Sequence, residues 1–434
     1  MNQFLFYSSK DLKINFRILT NPILIMIKKQ PGRMKMRYLF SFIITCFSFS
    51  FAIAETSVPQ AQNEGVYPYG TKFPLFLYAI NGDWAKQSGF GWNVGHTYST
   101  SFHSDPLPFI INCKNAGLLT LGILTSNGTL KDGKTPKTEE EISNEIKTLA
   151  STDNISWWDI PEELRIAKPG ELEILKNYPA WTRKYDTKQL PTFMYIPGHY
   201  SKERLQPYVQ YLDILPVSCY TTYYHMTPSF IRWSVERAKA AVIAEGKTLG
   251  KDYKNGQKTV MAILECFSTR MTPAESWHDF WLAVACDVRG IGVYSYFYST
   301  NDTNRYNCYT KLEEAVSKFT GKEQLNRVLI EGIDNSNIKF TITAGPDTTS
   351  VTPHPQTKAG VVVYPSLTVL GKNWQGNTYI VAVNSSFSPL TANISGISTS
   401  RVAVLFENRL LSAKNGSFSD KFDGLGVHIY KISL

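Results

Sequence analysis

Cysteine is scarce and unpatterned: the 434 residues contain six, with no Cys-x-x-Cys pair. Beyond position 54 five remain, Cys113, Cys219, Cys266, Cys286 and Cys308. An odd number without paired spacing is neither a disulfide framework nor a zinc pattern, and spacing alone assigns no bridge. Cys219 and Cys266 fall in apolar runs, which suits small core residues. His-Glu-x-x-His, Gly-x-Ser-x-Gly and EF-hand patterns are missing too, which removes the zincin, nucleophile-elbow and calcium-loop readings. After position 54 no apolar run approaches the roughly 20 residues of a membrane span. No internal repeat or low-complexity tract interrupts the chain.

An excess of one charge is also missing from most of the chain. The formal charge is +9, but eight of the 45 basic residues (Lys10, Lys13, Arg17, Lys28, Lys29, Arg33, Lys35, Arg37) precede position 55, against one acid, Asp11. The remaining 37 bases face 35 acids, a balance that gives no reason to expect nucleic acid as a partner. Arg37, the apolar stretch Tyr38–Phe51 and the small residues of Ala52-Ile53-Ala54 together read as a bacterial export signal cleaved before Glu55. Residues 1–54 are therefore expected to be an N-terminal extension and signal peptide, the part before Met34 or Met36 preceding a plausible start. The mature chain is expected to be secreted, periplasmic or at the cell surface, without stable membrane insertion.

What is present is a long, apolar, aromatic chain: 43% hydrophobic and 13% Phe, Trp and Tyr, too apolar for disorder and long enough for two or three units. Eight short apolar runs follow one another: Pro74–Ile80, Gly91–Tyr98, Leu118–Thr125, Ile155–Ile160, Thr192–Ile196, Ile214–Tyr220, Thr259–Cys266 and Ile291–Tyr298. Helical patterns lie between them, the weakest being 101–115 with Pro106 and Pro108. Strands buried on both faces and joined by helices predict a parallel sheet, and eight of them predict a (β/α)8 TIM barrel over 55–335. From Lys339 onward short alternating runs and Asn/Ser/Gly turns predict a small all-β sandwich over 336–434. Gly128 to Thr135 (GTLKDGKT) satisfies the phosphate-loop expression. Pro136 disfavours a helix there, however, and Thr138 with Glu141 forms a capping box that starts the helix later, so a solvated loop is expected.

In such a barrel the reactive groups lie at the C-terminal ends of the strands. Glu265 ends the seventh run after six residues of TVMAIL, where a carboxylate is costly without a task or a partner such as Arg270. Glu275, by contrast, is explained as the capping glutamate of Thr272-Pro273-Ala274-Glu275. The fourth run ends in Trp157-Trp158-Asp159-Ile160-Pro161-Glu162-Glu163, three carboxylates beside two tryptophans, with Glu162 favoured over Glu163 and Asp159. Two carboxyl groups facing each other across a barrel mouth are what glycoside hydrolysis requires, one donating a proton to the leaving oxygen and the other attacking or stabilising the anomeric carbon. Aromatic and polar strand ends fit a sugar: Asn81, Asp83 and Trp84 after the first run, His96 and Tyr98 after the second, Trp158 at the fourth. Tyr195 and His199 follow the fifth, Tyr220 and Tyr223 the sixth, and Tyr296 and Tyr298 the eighth.

The order strand–WWDIPEELR, then strand–ECFSTRMTPAESWHDFWLAVACDVRGIGVYSYFYS, then a sandwich ending in GVHIYKISL, is similar to secreted bacterial sugar-hydrolase barrels. Residues 74–320 resemble the barrel of clan A glycoside hydrolases. That resemblance implies an acid/base after strand four, matched by Glu162, and a nucleophile after strand seven, matched by Glu265. Pro161-Glu162 stands where the clan commonly has Asn-Glu. The expectation is an exported glycoside hydrolase acting with retention on a polysaccharide or oligosaccharide, with neither cofactor nor metal. A carbohydrate-binding protein on a catalytically dead barrel is the rival, and a structural or adhesive surface protein a third class.

Overall fold

The computed structural model describes residues 65–433 apart from 100, 101, 103, 300 and 354–359. The expected export signal and its expected cleavage site lie outside the described residues. Eight parallel strands form the barrel: β1 Leu75–Leu77, β2 Val94–Gly95, β3 Leu119–Ile123, β4 Ile155–Asp159, β5 Thr192–Phe193, β6 Ile214–Cys219, β7 Thr259–Glu265 and β8 Ile291–Tyr294. Each pairs with the next, and β8 pairs back onto β1, so the sheet closes. These are the eight apolar runs of the sequence.

Side chains alternate along each strand, as a pleated backbone dictates. Phe76, Val94, Leu121, Trp157, Phe193, Met261 and Ile263 fill the interior. Leu75, Leu77, Trp158, Val217, Ala262 and Leu264 face the helices instead. Aromatic rings dominate the interior: Trp157 stacks on Phe193 at 5.5 Å, and Phe76 meets both edge-on at 5.7 Å. Gly292 of β8 is what allows this layer, since a Cβ there would lie 2.1 Å from the Phe76 ring. Gly292→Ala is therefore expected to cost about 1–3 kcal/mol through overpacking, read as a lowered midpoint of thermal unfolding.

The outer helices are α1 Trp84–Phe90, α2 Leu107–Asn115, α3 Glu139–Ala150, α4 Pro169–Tyr185, α5 Lys202–Leu205, α6 Phe230–Ala244, α7 Pro273–Ala285, α8 Thr303–Thr320 and α9 Leu325–Glu331. Both capping boxes are present, Thr138 with Glu141 and Thr272 with Glu275. The prolines that obscured α2 sit at its N-cap and in its first turn, where no intrahelical N–H is lost. The phosphate-loop look-alike is a β-hairpin, Asn127–Thr129 against Gly133–Thr135.

The C-terminal sandwich faces a three-stranded sheet (Lys339–Ala344, Leu390–Ser395, Ser417–Phe422) onto a six-stranded antiparallel one. The latter contains Leu367–Trp374, Asn377–Asn384 and Val427–Ser433, and Ile333–Asp334 already pairs at its edge. Its Ile380, Ala382, Tyr430 and Ile432 point into the sandwich core. The alternate residues Tyr379, Val381, Val383 and Ile429 join the helix-side core of the barrel. Sandwich and barrel therefore share buried apolar surface. The five cysteines among the described residues are free thiols.

Candidate active site

The alternation that fills the barrel also decides what reaches its C-terminal mouth. Two residues beyond Phe76 comes Tyr78; two and four beyond Val94 come His96 and Tyr98; two beyond Phe193 comes Tyr195; two beyond Ile263 comes Glu265. Six rings close a belt around the mouth, with centroids 4.5 Å apart for Tyr78–His96 and His96–Tyr98, and 5.9 Å for Tyr98–Tyr294. The circuit continues through Tyr294–Tyr220 at 6.1 Å, Tyr220–Tyr195 at 6.3 Å and Tyr195–Tyr78 at 6.4 Å.

On one side of this belt a cleft of about 420 Å³ opens, lined among others by His96, Tyr98, Lys134, Asp159 and Glu162. Asp159, the last residue of β4, is buried with its Oδ2 3.5 Å from His96 Nε2. Burial lowers the His96 imidazole to about 4 and raises the Asp159 carboxyl well above its ordinary range. Glu162 stands at the edge of the cleft, after Pro161. The next residue, Glu163, adopts the left-handed conformation (φ 54°) and donates its N–H to the Tyr195 carbonyl, which anchors the turn. The Tyr98 hydroxyl donates to Glu162 Oε1 at 2.5 Å, and the Lys134 ammonium donates to the Glu162 carbonyl oxygen. Burial raises the Glu162 carboxyl to about 6, opposed by His96, the Tyr98 hydroxyl and Lys134.

Glu265 stands three strands further round the barrel, and no part of it is exposed. Its Oε2 accepts the Tyr223 N–H at 3.0 Å, while Oε1 has no hydrogen-bond partner among the described residues. Arg270 is not its counter-ion: that guanidinium lies 2.9 Å from the His225 ring nitrogens and donates to the Thr222 carbonyl. Burial raises Glu265 to about 8; the Tyr223 N–H opposes the rise and the nearby Asp279 carboxylate adds to it. Glu265 is not part of the cleft wall that carries Asp159 and Glu162.

The structure thus gathers His96, Asp159, Glu162, Tyr195, Tyr220 and Glu265 at one mouth, and places other expected residues elsewhere. Trp158 points out of the barrel, its Nε1 donating to Asp186 Oδ2 at 2.8 Å, which corrects its expected place against a sugar. Tyr296 faces the helix-side core, 5.3 Å from the Tyr309 ring, and donates its hydroxyl to Asp83 Oδ2 at 2.7 Å. Trp84 packs against the same core, and Asn81 accepts the Thr97 hydroxyl at 3.0 Å. His199 lies between the rings of Tyr200 and Tyr224, at 5.2 and 5.4 Å. Tyr298 is exposed, 6.3 Å from Tyr294. Sequence reasoning missed Tyr78, Tyr294 and Lys134. The first two were available from strand alternation, but Lys134 was hidden in the phosphate-loop look-alike. Among the described residues no cluster of three His, Cys, Asp or Glu is arranged to hold a metal ion, and no helix is long and apolar enough to cross a membrane.

A closed (β/α)8 barrel carrying carboxyl groups at its C-terminal mouth and followed by a β-sandwich is the architecture of many glycoside hydrolases. Solved structures are similar to it in fold. The α-amylase of Geobacillus thermoleovorans, determined with acarbose, matches with a TM-score of 0.50 at 9% identity, covering 86% of this chain and 100% of that one. Amy13B of Eubacterium rectale gives 0.51 at 8% identity over 86% and 97%. The family 27 β-L-arabinopyranosidase of Geobacillus stearothermophilus, determined with arabinose, gives 0.51 at 10% identity over 85% and 99%. No family model matches the sequence, and no curated protein matches it. The likeness is one of fold.

Proposed function

We propose that the protein is an exported glycoside hydrolase that cleaves O-glycosidic bonds of a polysaccharide or oligosaccharide at this mouth. One observation carries the reading. Two carboxyl groups, Glu162 just after β4 and Glu265 at the end of β7, are both held above their ordinary proton affinity at a mouth ringed by aromatic side chains. Such perturbation is what acid–base and nucleophilic chemistry needs, and it destabilises a fold that has no use for it. Ring faces stack on sugar C–H surfaces, while the Tyr and His polar tips meet hydroxyls.

In this reading Glu162, open to the cleft, protonates the leaving oxygen and later activates water. Glu265 attacks the anomeric carbon, and the product retains its configuration. The Tyr223 N–H and the Thr222 hydroxyl favour ionised Glu265. In the free protein the proton prefers Glu265, at about 8, over Glu162, at about 6. The productive form, protonated on Glu162 and ionised on Glu265, is then the minor one at neutral pH.

The complete burial of Glu265 favours a second reading, a protein that binds glycan without cleaving it. A panel of plant, algal and microbial glycans, tested both by calorimetry and for new reducing ends, separates the two. The hydrolase reading expects binding accompanied by product. Binding without product across the panel supports the second reading and rejects the first.

A further inference from the structure

A chain of buried polar groups outside the mouth connects the C-terminal sandwich to Glu265. It begins at Ser385, in the turn that follows strand Asn377–Asn384, 2% exposed. That turn is tied down: the Asn384 side-chain amide donates to the carbonyls of Ser388 and Asp423 at 3.0 and 2.8 Å, and the Ser385 N–H donates to the Ser366 carbonyl at 2.8 Å. The Ser385 Oγ lies 3.1 Å from Nε2 of His278 on α7, whose Nδ1 lies 2.9 Å from Asp279 Oδ1. The other Asp279 oxygen accepts the Thr221 hydroxyl at 2.9 Å. Thr221 opens the loop after β6, and two residues later the same loop supplies the Tyr223 N–H that holds Glu265 Oε2 at 3.0 Å. The loop also closes on itself, the Met226 N–H donating to the Thr221 carbonyl at 2.8 Å.

One set of proton positions satisfies every link. In it the Ser385 hydroxyl donates to Nε2, and Nδ1–H and the Thr221 hydroxyl both donate to Asp279. The order Ser–His–Asp is that of a nucleophilic triad, but a serine 2% exposed between two domains does not meet substrate. The buried His278 imidazole has both ring nitrogens engaged, one by the sandwich and one by the barrel. We infer that Ser385 and His278 are positioning residues, through which the sandwich orients Asp279 and so fixes the loop that holds Glu265. The sandwich is in this account a working part of the site, and the inference rests on the reading of Glu265 as catalytic only for its effect on rate.

The test uses the full chain carrying Ser385→Ala, with Ser385→Thr as the conservative variant that restores a hydroxyl. Hydrogen–deuterium exchange is followed in the segment 220–226, against strand Asn377–Asn384 as an internal reference. The expected result is exchange about tenfold faster in 220–226 for Ser385→Ala, the factor of one lost hydrogen bond, with the reference unchanged and Ser385→Thr near wild type. Wherever wild type turns over a glycan, kcat falls in Ser385→Ala while KM stays. Exchange in 220–226 within twofold of wild type, or faster to the same degree in the reference strand, overturns the inference. If the wild type cleaves no glycan, the hydrolase reading fails, while the exchange result still decides whether the sandwich holds this loop.

Discussion

Replacing Glu265 by glutamine is expected to abolish glycan turnover and to make the protein harder to unfold in alkali. The loss of rate, at least about 10³-fold, follows from removing the attacking group while leaving shape and volume in place. The gain in stability follows from linkage. Glu265 titrates at about 8 in the folded chain against an ordinary 4.5. Between those values the folded state keeps a proton that the unfolded state has released, so stability falls as pH rises through this window. Below about 4.5 both states are protonated and the variant gains nothing. Above 8 the full difference applies, on the order of 5 kcal/mol. Glutamine carries no ionisable proton, and its carbonyl oxygen can still accept the Tyr223 N–H. Urea unfolding of both proteins at pH 5 and pH 9 checks this: the curves should nearly coincide at the lower pH and separate at the higher one. A buried acid that weakens the fold in the range where it would work is the expected mark of a functional group.

The pH dependence of kcat/KM should be bell-shaped, with limbs near 6 and 8 and a maximum near neutrality. Activity needs Glu162 protonated and Glu265 ionised, and the two limbs are properties of the pair. Tyr98→Phe gives the sign of the lower limb. The Tyr98 hydroxyl stabilises ionised Glu162 through its bond to Oε1, so its removal raises that affinity. The lower limb should then move to higher pH and narrow the bell, while the upper limb stays. A profile whose lower limb is unmoved in Tyr98→Phe removes Glu162 from the titration.

Much of this was legible because two physical signals are strong in a sequence. Eight apolar runs separated by helical patterns left few arrangements other than a closed parallel barrel. A carboxylate at the end of TVMAIL has no cheap structural explanation, and the structure supplies none in Arg270. The misplacements came where local chemistry and strand parity diverge. Trp157 and Trp158 are adjacent, so only one can face inward, and the irregular register of β3 with β4 at Thr120 and Leu121 hides which. The run Ile291–Tyr298 looks like one strand, but β8 stops at Tyr294 and the chain turns helical over Tyr296–Ser299, which carries Tyr296 outward. The grip of Lys134 on the Glu162 carbonyl depends on a hairpin folding back over the end of β4, a long-range contact that no spacing encodes. The chain from Ser385 to Thr221 is of the same kind, joining residues far apart in sequence.

The most direct measurement is the release of new reducing ends from one cognate glycan at pH 7 by wild type, Glu162→Gln and Glu265→Gln, each shown to be folded by circular dichroism. The account predicts steady release by the wild type and background release by both variants. Wild-type release from either variant would contradict it.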